Sequence, residues 1–88
     1  MSQNFALGNI TRVVPIDLSN GDFEDRNGFF IRSATDGVIK YCPMGNEDSE
    51  FIIKDIDASN LFVDPELVRK VFRLTTSPNT ELYAGYGV

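Results

Sequence analysis

The sequence predicts a small all-β fold, an antiparallel sandwich or barrel of about six strands. Turn-forming clusters recur at short intervals: Ser19-Asn20-Gly21-Asp22, Asn27-Gly28, Asp36-Gly37, Pro43-Met44-Gly45-Asn46, Asp57-Ala58-Ser59-Asn60 and Ser77-Pro78-Asn79. The segments between them are short and rich in β-branched and aromatic residues, which fit a pleated, half-buried surface. The 88 residues, 42% hydrophobic and 24% charged, allow one globular domain and no more. Residues 1–9 read as a flexible N-terminal arm, and residues 10–88 as a single β domain.

The first strand runs from Ile10 to Leu18. Ile10, Arg12, Val14 and Ile16 share one face, and Thr11, Val13, Pro15 and Asp17 the other. Pro15 has no N–H to give to a ladder, which places this strand at an edge or beside a bulge. Phe29–Ser33 and Val38–Cys42 flank Ala34-Thr35-Asp36-Gly37, and the Asp-Gly pair predicts a hairpin there. In Glu50–Ile56, Phe51, Ile53 and Asp55 alternate with Ile52, Lys54 and Ile56. Residues 64–74 fit two descriptions. Asp64 as N-cap and Pro65 at N1 suit a helix start, while the Val, Phe and Thr content favours a strand. The strand reading is preferred, with one short helical turn at Asp64–Leu67 allowed. Glu81–Tyr86 then forms its hairpin partner across Thr76-Ser77-Pro78-Asn79-Thr80.

The composition excludes much chemistry. With no histidine there is no Ser-His-Asp triad, no Cys-His pair and no imidazole metal ligand. The single cysteine, Cys42, can close no intramolecular disulfide and reads as a small buried hydrophobe in a strand. A reactive thiol wants cationic neighbours, and only Lys40 is near it in sequence. The N-terminus lacks the charged-then-apolar order of a signal peptide, and no apolar run reaches the roughly 20 residues of a membrane helix.

Net charge is −5, all of it within residues 1–63, since three acids and three bases balance in residues 64–88. That sign repels nucleic-acid backbones and anionic lipid surfaces, so neither is expected as a partner. Arg69, Lys70 and Arg73 read as a solvated strand face or a protein contact. Carboxylates cluster at Asp22/Glu24/Asp25, Glu47/Asp48/Glu50 and Asp55/Asp57, but none has the spacing of a calcium loop. Acids on solvated turns are the simpler reading. No catalytic residue, cofactor site, metal site or small-molecule substrate is expected.

The aromatic residues point elsewhere. Phe29 and Phe30 are adjacent, so on a strand they face opposite sides, and one of them should be exposed or packed on another subunit. Ile52-Ile53 and Val13-Val14 likewise put apolar groups on both faces. This surplus predicts a subunit interface, with Phe29 or Phe30, Phe5, Leu7, Tyr83 and Tyr86 as contact residues.

Phe62-Val63-Asp64-Pro65-Glu66-Leu67-Val68-Arg69-Lys70-Val71-Phe72-Arg73-Leu74-Thr75-Thr76, followed by Tyr83-Ala84-Gly85-Tyr86-Gly87-Val88, resembles small β proteins of tailed bacteriophages and prophages. These are spike-base and head-decoration components that end in a strand of mixed Val and Arg, a Thr-rich turn and a closing strand. The resemblance covers the last third of the chain. It implies a non-enzymatic structural protein of a virion, assembled in the host cytoplasm, with no functional residue to carry over. Such a protein works as a homo-oligomer, a trimer being one form, among other virion proteins. The alternative is a small carbohydrate- or peptide-binding β module, which the absence of Trp disfavours.

Overall fold

The computed structural model describes residues 10–59, 62 and 66–87. Among them are six strands and no helix: β1 (Ile10–Pro15), β2 (Phe23–Ser33), β3 (Gly37–Pro43), β4 (Ile52–Ile56), β5 (Val68–Val71) and β6 (Leu82–Gly87). All pair antiparallel in one open sheet of order β1-β6-β2-β5-β3-β4. The all-β expectation holds, and the strand reading holds for Val68–Val71. Glu66 and Leu67 are not helical, and Asp64 and Pro65 lie outside the described residues.

The pairing differs from the sequence reading in two places. β2 and β3 form no hairpin, because β5 lies between them, and β5 and β6 form none, because β2 does. Asp36-Gly37 still turns the chain, but Ala34 N–H donates to Glu81 O at 2.8 Å and leads β2 towards β6. Only β3 and β4 are neighbours both in sequence and in the sheet. Pro15 sits on an edge strand, as its missing N–H requires.

β2 is the hinge of the architecture. Its first part pairs with β5 (Glu24↔Lys70) and its last part with β6 (Phe30↔Gly85), and its register slips between Glu24 and Phe29. Asn27-Gly28, which reads as a turn in the sequence, is instead part of this bulge inside an 11-residue strand. Gly28 has φ +86°, in the left-handed region that only glycine enters without strain. The bulge redirects the strand, and the sheet curls.

Because it curls, both ends of the sheet contribute to one core. Phe29, Ile39, Val71 and Ala84 are at most 1% exposed at its centre. Val14 of β1 and Ile52 and Ile56 of β4 pack onto it from the two edge strands. A parallel bridge, Ser33↔Ala58, ties the end of β2 to the chain just beyond β4.

A second, smaller cluster lies outside this core: Phe30 on Phe62, with Ile10 and Tyr83. Phe62 packs against Gly85, where a Cβ would stand 2.7 Å from its ring. The missing side chain makes the shelf on which Phe62 rests. Phe29 and Phe30 do face opposite sides, but both are buried, at 0% and 7% exposure. The expectation that one of them is left exposed is therefore corrected, because Phe62 of the same chain covers the second face.

Candidate functional site

Four features outside the core could carry function: a cavity, a charged cluster around Cys42, an apolar outer face and a protruding loop.

The cavity opens where the curled sheet fails to close, between the end of β2 and β4. Its volume is about 240 Å³. Ile31, Ile39, Ile56 and Val68 make an apolar floor, and Arg32, Lys54, Asp55 and Asp57 stand at the rim. Alternation accounts for Lys54 and Ile56, which fall on the inward face of β4, while Asp55 shares the outward face with Phe51 and Ile53 and meets the cavity only at its rim. Tyr41 O–H donates to Glu66 Oε1 at the cavity wall. The rim cations are already engaged with rings: Arg32 lies 4.4 Å from the Tyr83 centroid and 5.5 Å from that of Phe62, and Lys54 lies 5.4 Å from that of Tyr41.

The charged cluster centres on Arg69 of β5. Its guanidinium reaches Glu24 on β2 at 2.7 Å, Asp48 at 2.6 Å and the Asn46 carbonyl at 3.1 Å. It also lies 3.1 Å from Cys42 Sγ. Lys70 adds a 2.9 Å contact to Asp48. Hydrogen bonds from Arg69 and then Lys70 hold the Asp48 carboxyl below its usual range, and Asp48 in turn raises Lys70. Sequence reasoning placed only Lys40 near Cys42. The cation that actually meets the thiol comes from a strand 27 residues away, and nothing local signals it. Cys42 itself is fully buried, in keeping with the structural role expected of it.

Ile53 on the outer face of β4 and Phe51 just before that strand are 50% and 43% exposed. Phe51 meets Phe72 edge-on at 6.4 Å, and Lys40 Nζ sits 4.1 Å from the Phe51 centroid. On the other edge strand Val13 is 45% exposed. The apolar surplus expected of Val13-Val14 and Ile52-Ile53 is thus present at both edges of the sheet.

The protruding loop follows β5. Phe72 N–H donates to Lys40 O and Ser77 N–H to Val38 O, both at 2.8 Å, so both ends of the loop are fixed to β3. Lys40 N–H returns a bond to the buried Thr76 hydroxyl at 3.0 Å. Between these anchors Arg73, Leu74 and Thr75 leave the ladder and border a second, open cavity of about 590 Å³ with Ile16, Leu18 and Leu82, and Leu74 keeps 73% of its surface exposed. Thr75 has φ +79°, a strained setting for a β-branched residue.

The predicted contact residues fare differently. Phe29 and Phe30 are buried within the chain, and Phe5 and Leu7 lie outside the described residues. Tyr83 and Tyr86 are half-buried beneath Arg32 and Arg12, and Tyr86 O–H donates to Asp25 at 2.9 Å. Burial, and then that bond, raise the Tyr86 hydroxyl above its ordinary pKa. The carboxylates are held by protein partners: Asp22 accepts from Arg73 N–H, Glu24 and Asp48 share Arg69, and Asp25 accepts from Tyr86. Among the described residues no three acids, histidines or cysteines converge on a point that could hold a metal ion. No family model, curated protein or solved structure matches this chain.

Proposed function

We propose that this protein is a non-enzymatic assembly component that acts as a homo-oligomer. The observation that carries this reading is an open sheet with apolar side chains turned outward at both edges, Val13 on β1, and Ile53 on β4 with Phe51 just before it. Unpaired strand edges and outward apolar groups are what a neighbouring copy can cover. The phage-like C-terminal third supports taking that assembly as a virion part, an auxiliary capsid or spike-base subunit among other virion proteins.

Native mass spectrometry of the full chain tests the reading. A defined oligomer at micromolar concentration is expected, and a monomer at every concentration overturns it. The alternative, a small carbohydrate- or peptide-binding module, has the cavity between β2 and β4 in its favour. Against it, the tyrosines that would stack on a sugar are covered by arginines.

A further inference from the structure

We infer that copies of this chain join head to tail, with Leu74 of one copy seated in the cavity between β2 and β4 of the next. This rests on the assembly reading above and adds to its exposed edges a contact of its own. Three observations carry it.

The first is the way Leu74 is presented. A leucine 73% exposed is costly to leave in water, and the chain holds it out on a loop fixed to β3 at both ends. The adjacent Thr75 takes a left-handed φ of +79° to do so. Strain maintained beside an exposed apolar tip marks a contact point rather than slack chain.

The second is the fit. Ile31, Ile39, Ile56 and Val68 floor a cavity of about 240 Å³. An apolar cavity of about 150 Å³ already admits a benzene ring, so this one has volume enough for an isobutyl group.

The third is charge. Arg73, next to the tip, is exposed, and its guanidinium makes no ion pair among the described residues. Asp55 and Asp57 stand exposed at the cavity rim, where Arg32 and Lys54 are turned onto aromatic rings. When Leu74 docks, Arg73 arrives at these acids.

Head-to-tail joining engages the tip and the cavity of one copy with two different neighbours, so the contact is heterologous and repeats from copy to copy, closing into a ring or running on as a filament. A complementation experiment reads this directly. Leu74→Asp disables the tip. Ile56→Trp fills the cavity, and Asp55→Arg with Asp57→Arg reverses its rim; circular dichroism confirms the fold of each variant, and the exposed rim pair covers the case in which the tryptophan variant does not fold. Each variant alone is expected to weaken self-association by about tenfold or more. An equimolar mixture of the tip variant with a folded cavity variant is expected to form a dimer that grows no further, because one intact tip and one intact cavity remain. If Leu74→Asp keeps the wild-type oligomer, or the mixture stays monomeric, this contact is overturned while the assembly reading stands. A monomeric wild type overturns both.

Discussion

The Arg69 guanidinium lies 3.1 Å from the Cys42 sulfur, joining β5 to β3 beside a thiol with no exposed surface. The same guanidinium holds Asp48 and the Asn46 carbonyl, so it pins the β3–β4 loop over that thiol. Arg69→Ala should therefore speed reaction of Cys42 with a thiol reagent under native conditions, because the loop opens more often. Equal labelling rates in variant and wild type would show that the loop is held by other means.

Acid should weaken the same cluster. Asp48 is held below its usual carboxylate pKa by Arg69 and Lys70, so its stabilising effect is complete above about pH 4, the unfolded value, and fades as pH falls through the lower folded value. In urea unfolding, Asp48→Asn should be less stable than wild type at pH 7, with the gap narrowing at pH 3. A gap that widens in acid contradicts the pairing.

Core and loop tip should respond very differently to truncation. Phe29 is fully buried at the centre of the core, and Phe29→Ala should cost about 3–5 kcal/mol, a large part of what a domain this small has. Leu74→Ala, at 73% exposure, should change monomer stability by no more than about 0.5 kcal/mol. Denaturant titration compares the two.

Gly28 bends β2, and a side chain there meets two obstacles. Its φ of +86° disfavours any Cβ, and that Cβ would stand 2.9 Å from Leu67 Cγ. Gly28→Ala should cost at least about 1–2 kcal/mol. Thermal unfolding that leaves the midpoint unchanged would mean the bulge is not fixed at this residue.

Gly85 and Phe62 should be energetically coupled. Gly85→Ala drives a methyl to within 2.7 Å of the Phe62 ring, an overpacking worth about 1–3 kcal/mol. In the Phe62→Ala background the same change should cost clearly less, the remaining close neighbour being Ile10 Cδ1 at 3.0 Å. A double-mutant cycle without coupling would place Phe62 elsewhere than over β6.

Much of the fold was legible because strand signals are local. Alternation in Ile52–Ile56, the β-branched run of β1 and the missing N–H of Pro15 depend on neighbours within a few residues, and all are realised. Asp-Gly and Asn-Gly were equally visible but carried less than they suggest. A turn reverses the chain without choosing its partner, and a glycine that suits a turn suits a bulge as well. Of the predicted contact residues, Tyr83 and Tyr86 stay near the surface, but Phe30 is taken by Phe62, a partner 32 positions away that no periodicity reveals.

By itself the sequence determined that this protein is built from short antiparallel strands, with no histidine chemistry and more apolar strand surface than one face can bury. Tertiary structure decided which strands pair, where β2 bends, which surplus apolar groups the chain covers for itself and which it leaves outside. The reason is physical. Side-chain alternation is a property of each strand, whereas pairing is settled by burial summed over the whole sheet, so β5 and β6 each pair with β2 instead of with one another.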